Sequence, residues 1–182
     1  MSEFATWRSS QASLALLACA MLLPVQAMGT NPAMEMLPAG VEGYNHTSAN
    51  INRFSVNRAG GPNVSPFSGG GKQICCAALP RQWRPGLMAT VEWEKDPNPR
   101  APIALDRTGR QYDMEAYERH AANYTQHRAV VEIPRYEKSC GVQVHFLPCN
   151  EVRVVSSCYG PRHPDYPYKE FYQIKEPKTC PK

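Results

Sequence analysis

The cysteines constrain this chain more than any other residues. There are seven in 182 residues, and what they can do depends on the compartment the chain reaches. Residues Ala12 to Leu23 form an uncharged apolar run of twelve residues. Crossing a bilayer takes about 20 residues, so the run fits the core of an export signal instead. Pro24 ends it, and Val25-Gln26-Ala27 supplies the small residues of a cleavage site. The expected signal peptide is therefore 1–27, with the mature chain starting at Met28. A second reading takes Leu16-Leu17-Ala18-Cys19 as a lipobox, with Cys19 lipidated and the membrane reached by that anchor alone.

Loss of the leader removes Cys19 and leaves Cys75, Cys76, Cys140, Cys149, Cys158 and Cys180. An even set in an exported chain reads as a disulfide framework, for which counting alone leaves about fifteen connectivities open. Zinc is the competing use, but no C-x-x-C pair occurs and no histidine stands at finger spacing. No metal and no cofactor is expected.

Seventeen prolines and twelve glycines exclude a helical bundle, because both interrupt helices. Twenty Lys and Arg against 16 Asp and Glu give a net charge of +4, scattered along the chain, which speaks against nucleic-acid binding. The expected organisation is a flexible leader over 28–40 and one domain over 41–182. Its class is α+β: a mainly antiparallel sheet with one principal helix, stabilised by disulfides. Period-two patterning predicts strands at 41–47, 51–56, 74–79, 86–94, 129–133, 142–147 and 152–156. Met114, Tyr117, Ala121 and Tyr124 recur at helical steps behind Asp113, a candidate N-cap, and predict a helix over 113–127. Five glycines and two prolines make 57–72 a long surface loop. The tail from Arg162 is expected to wrap the surface and to be pinned at Cys180.

One disulfide follows from strand register. If Pro148-Cys149-Asn150 is a three-residue hairpin loop, with Asn150 left-handed, residues whose numbers sum to 298 face each other. Cys140 then opposes Cys158 at a separation that a disulfide bridges. A two-residue loop would instead put Cys158 opposite Gly141. The first register leaves Cys149 and Cys180 to pair with the Cys75-Cys76 doublet.

Enzyme motifs are scarce. Gly70-Gly71-Lys72 lacks the first glycine and the Ser or Thr of a phosphate loop, since Pro66 and Gln73 stand there. There is no G-x-S-x-G, and none of His46, His120, His127, His145 and His163 belongs to an H-x-K pair. A thiolate at Cys75 or Cys76 with His145 as base is the remaining option, opposed by the even cysteine count. His145 reads instead as a hydrogen-bonded sheet histidine, and His120 and His127 as solvated residues of one helix face. Asp106, Asp113, Glu115 and Glu118 read as an N-terminal helix charge bias. No catalytic residue is assigned.

Three segments carry residue types typical of interfaces: the Pro-bounded turn with Arg81, Trp83 and Arg84; the acidic strand end with Glu92, Glu94 and Asp96; and the Pro-stiffened run with Tyr159, Asp165, Tyr166 and Tyr168. Folding inward is the competing reading for Trp83, and ordinary loop packing for the other two segments.

The order of Gly43-Tyr44-Asn45-His46-Thr47, Ile51 to Asn57, Gly69 to Cys76, Leu79-Pro80, Trp83 to Leu87 and Val91-Glu92-Trp93 resembles an uncharacterised proteobacterial family of exported domains, many of them small lipoproteins. Val131 to Tyr136 and Val144 to Cys149 continue the likeness. It covers roughly Val41 to Pro167; Cys140, Cys158 and Cys180 fall outside the family pattern. Members are similar to periplasmic immunity proteins encoded beside type VI secretion phospholipase effectors, notably of the phospholipase D class. The resemblance implies a periplasmic protein that binds and blocks such an effector without turnover. On that expectation Glu92, Glu94, Asp96 and Asp165 are candidates to enter the toxin's phosphate site. Arg81, Trp83, Arg84, Tyr159, Tyr166 and Tyr168 would anchor around them. A structural or adhesive envelope protein and a thiol-dependent exported enzyme are the other classes.

Overall fold

A computed structural model describes residues 34–181; the expected signal segment 1–27, with Cys19, lies outside them. Eight strands form: β1 Met36–Asn45, β2 Asn50–Val56, β3 Ala59–Gly61, β4 Gly69–Pro80, β5 Met88–Asp96, β6 Thr125–Glu132, β7 Gly141–Phe146 and β8 Val152–Ser157. The helix α1, Met114–Ala121, lies between β5 and β6. Two four-stranded sheets result, ordered β4-β1-β7-β8 and β3-β2-β5-β6. The second is antiparallel throughout. In the first, β1 and β7 run parallel at the centre, Val41 beside Val142 through Asn45 beside Phe146. The chain is thus one compact, mainly antiparallel α+β domain with one helix.

Alternation places one side of each sheet in a shared core. Val41, Val142, Val144, Phe146 and Val154 of the first sheet meet Phe54, Val56, Ala89, Val91 and Trp93 of the second. Phe146 stands edge-on to Phe54 at 5.1 Å and tilts against Trp93 at 5.8 Å. Gly61 is required beside Phe54, because a Cβ there would overlap the phenyl ring.

The helix is shorter than its spacing predicts. Asp113 caps it as expected, its carboxylate accepting the Ala116 N–H at 2.9 Å. It stops at Ala121 because the Asn123 side chain donates to the carbonyls of Arg119 and His120. From Thr125 the chain pairs with β5 along eight register positions. Sheet hydrogen bonds therefore override the helical spacing that extended it to 127, and His127 lies on β6, stacked on Trp93 at 5.2 Å. The expected leader is shortened too: β1 starts at Met36, where its antiparallel ladder with β4 begins. Part of the 57–72 loop is also strand. Asn57 and Arg58, both at positive φ, turn β2 into β3, and β4 takes up 69–72.

The β7–β8 register does sum to 298, from Gly141 beside Ser157 to Phe146 beside Val152. Cys140 and Cys158 form a pair at its open end, with Cα atoms 5.1 Å apart. At the tip, both Cys149 and Asn150 are left-handed, φ 62° and 60°. The other cysteines correct the expectation. Cys149 pairs with Cys180, Cα atoms 5.3 Å apart, and Cys75 pairs with its neighbour Cys76 across a cis peptide bond. Strand order explains why the doublet does not reach Cys149. β1 separates β4 from β7, and the doublet lies level with Gly40, whereas Cys149 lies past the Asn45 end of β1.

Candidate functional site

The outer face of the first sheet is where polar side chains become buried. Alternation turns Glu42 and Tyr44 of β1 and Gln143 and His145 of β7 away from the core. The parallel register then puts Tyr44 beside His145, with rings stacked at 4.9 Å and 13°. His46 follows the end of β1, its N–H donating to the Phe146 carbonyl at 2.9 Å. Its ring stacks on that of His145, and His46 Nε2 lies 3.0 Å from His145 Nδ1.

The tail covers this face. After β8 the chain returns through 158–181, with a 3-10 turn at Lys169–Gln173, and packs Tyr166, Phe171 and Tyr172 over the histidines. The Tyr166 hydroxyl donates to Gln143 Oε1 at 3.1 Å and stands 2.9 Å from His145 Nε2. A hydroxyl has one proton, so His145 must donate from Nε2 and accept at Nδ1. His46 therefore donates from Nε2. A single directed chain results, His46 to His145 to Tyr166 to Gln143, whose amide donates to the Tyr159 carbonyl at 3.1 Å. Among the described residues no buried side-chain nitrogen or oxygen lacks a partner.

This order needs neutral imidazoles. Burial, reinforced by His46, pushes the His145 pKa down to about 3, and burial also lowers that of His46. Burial likewise raises the hydroxyls of Tyr44, Tyr166 and Tyr172, so all three stay protonated.

Beside His46 a cleft of about 1220 Å³ opens between the Gly69–Gly71 start of β4 and the tail. Tyr44, His46, Arg162, Lys169 and Tyr172 line it, with Glu42 accepting the Tyr44 hydroxyl at 2.6 Å. Gly70, at φ +69°, approaches that hydroxyl so closely that a Cβ would lie 2.9 Å from it. Chemically the cleft offers cations, aromatic faces and a neutral imidazole. Among the described residues, no three His, Cys, Asp or Glu side chains converge as a metal site, and no helix is long and apolar enough to cross a membrane.

The residues singled out in the sequence are not gathered into one surface. Arg81 is exposed and paired with Glu35 at 2.6 Å; Arg84 is exposed near Met34. Trp83 turns inward, packing on the core and donating its indole N–H to the Ile133 carbonyl at 2.8 Å. Glu92 pairs with Arg128 at 3.4 Å and Glu94 with Arg53 at 2.6 Å. Asp96 is buried against His120, so it is withdrawn from any partner surface. Tyr166 is buried too, because its hydroxyl is spent on His145 and Gln143. Tyr159 remains exposed, stacked on His163 at 4.2 Å; Asp165 is exposed, and Tyr168 is half-buried against Phe171.

His145 is the hydrogen-bonded sheet histidine expected. Its partners His46, Tyr44, Gln143 and Tyr172 were not anticipated. The one available signal was Tyr44-Asn45-His46 closing an apolar strand, and nothing local links that strand to β7.

Residues 44–154, more than half of the chain, match the family model described as "Protein of unknown function (DUF3304)". No curated protein and no solved structure matches the chain.

Proposed function

Since the chain belongs to the DUF3304 family of proteins of unknown function, its role has to come from the site, and we propose that it is a periplasmic immunity-type protein that binds and blocks a secreted phospholipase effector, of the phospholipase D class, without turnover. It acts there as a soluble protein after cleavage at Ala27, or tethered through a lipidated Cys19. The observation that carries this reading is the clamped tail. One cysteine pair holds its root at Cys158 and a second holds its end at Cys180, while Tyr166, Phe171 and Tyr172 pack its middle onto the sheet. A surface ordered in advance loses little entropy when a partner docks, which suits a stoichiometric inhibitor.

The contact surface then moves from the strand ends to the tail. Glu92 and Glu94 are in ion pairs and Asp96 is buried. Asp165 is the carboxylate of the expected set that stays exposed without a guanidinium, its nearest ionic neighbour being His163 at 3.8 Å. Tyr159 supplies an aromatic anchor beside it. All six cysteines of the described residues are paired, which weighs against the thiol-dependent enzyme.

The test is calorimetric titration of the mature protein with secreted phospholipase D-class effectors of the same cell, together with hydrolysis of phosphatidylcholine vesicles. An equimolar complex with loss of hydrolysis is expected. A Tyr159→Ala, Asp165→Ala double variant should weaken it at least about tenfold, and Glu92→Ala should leave it unchanged. Absence of any complex, or an indifferent double variant, refutes the proposal.

A further inference from the structure

A second pocket, of about 450 Å³, lies on the far side of Asp96 from the core, between α1, the start of β2 and the loop that follows β5. Its floor is a hydrogen-bonded pair of an aspartate and a histidine, with side chains 8% and 10% exposed. Asp96, 5% exposed, accepts the Asn98 N–H with one oxygen at 2.8 Å and meets His120 Nε2 with the other at 3.0 Å. His120 Nδ1 makes no hydrogen bond among the described residues, and no buried side-chain nitrogen there is unsatisfied. That nitrogen is therefore open to solvent, and His120 is among the residues that line the pocket. On one wall Asn50 and Asn52 project from alternate positions of β2, held by an amide–amide hydrogen bond of 2.7 Å, and Asn52 is fixed in turn by Glu94 at 3.2 Å.

The lining also holds aromatic rings, two of them exposed. Tyr112 and Tyr117 lie nearly parallel, 15° apart with centroids at 6.3 Å, and are 54% and 37% exposed. Tyr124 also lines the pocket. Arg100 is a further lining residue, exposed and in no ion pair among the described residues.

We propose that this pocket is a saccharide-binding site that takes a neutral pyranose. A pyranose has an apolar C–H face, which packs on the electron-rich face of an aromatic ring, and an edge of vicinal hydroxyls that donate and accept together. Asn amides, a guanidinium and an imidazole nitrogen match such an edge, because each presents a donor or acceptor of fixed direction. The volume is that of a small-ligand pocket. Charge argues for a neutral sugar, because Arg100 and the Asp96 carboxylate offset each other among the lining residues. The pocket shares no lining residue with the tail cleft, so it is independent of the toxin-binding reading.

The experiment is saturation-transfer NMR on the whole protein with D-glucose, D-galactose, D-mannose and N-acetylglucosamine, each at about 10 mM to reveal a Kd as weak as about 1 mM. Transfer to the ring protons of at least one pyranose is expected. Tyr112→Ala and Arg100→Ala, both at exposed positions and checked for an unchanged circular dichroism spectrum, should each weaken binding at least about tenfold. Tyr159→Ala, on the tail and outside the lining of this pocket, should leave it intact. The proposal is overturned if none of the four sugars shows transfer, or if transfer survives both pocket substitutions, or if a sugar phosphate binds where the neutral sugars do not.

Discussion

Acidification should destabilise this fold through His145 before its carboxylates titrate. In the unfolded chain that imidazole takes a proton near pH 6.5; in the folded chain burial, with His46 adding to it, holds its pKa down to about 3. Between these values the unfolded state binds one more proton, so stability rises with pH. The contribution is complete above pH 6.5 and is lost as pH falls towards 3. Each pH unit in that window removes about 1.4 kcal/mol, and lowering the pH to 5 removes about 2 kcal/mol. Ordinary carboxylates titrate near pH 4, so the interval from 6.5 to 5 isolates the histidines. His46 and His127, also held down by burial, act with the same sign. The measurement is urea unfolding by tryptophan fluorescence, with disulfides intact, at pH 7.5, 6.5, 5.5 and 5. The wild type should lose at least about 2 kcal/mol between pH 7.5 and 5, and His145→Gln should lose less by about that amount. Equal stability at pH 7.5 and 5, or an unchanged loss in the variant, would refute the claim that His145 is buried neutral.

Two further outcomes follow from the packing. A Cys149→Ser, Cys180→Ser double variant releases the end of a loop with a sequence separation of 31. It should lose about 3–4 kcal/mol of stability in chemical denaturation and become susceptible to trypsin first within 162–178; a first cut elsewhere would contradict the clamped tail. Gly61→Ala drives a methyl into the Phe54 ring and should cost about 1–3 kcal/mol, read as a lower urea midpoint; an unchanged midpoint would mean that the Phe54 ring does not lie over Gly61 of the neighbouring strand.

What was legible in the sequence was whatever depends on neighbours in the chain. Asp113 announces the helix start through its own side chain, and a three-residue loop at Pro148-Cys149-Asn150, one of the two loops weighed, gives the β7–β8 register and with it Cys140–Cys158. The helix end was misplaced because Tyr124 and His127 continue a helical spacing while Thr125 to Glu132 find a ladder on β5. Local periodicity does not report a competing strand. Trp83, Asp96 and Tyr166 carry the residue types of an interface, but each side chain has a buried partner far along the chain, at Ile133, His120 and His145. The histidine pair was hidden for the same reason: His46 and His145 are separated by 99 positions.

The parallel pair at the middle of the first sheet also dictates the order in which the molecule can be completed. Chains emerge N-terminus first. β1 can meet β4 early and β2, β5 and β6 can close their sheet, but the other edge of β1 waits for β7, about a hundred residues later. Until then Val41 to Asn45 present an open edge of unpaired backbone groups, the kind that invites a wrong strand. Contacts of such long span close slowly. The first strand to be made is therefore among the last to be finished, and the Tyr44 and His145 rings stack only when nearly the whole chain is available.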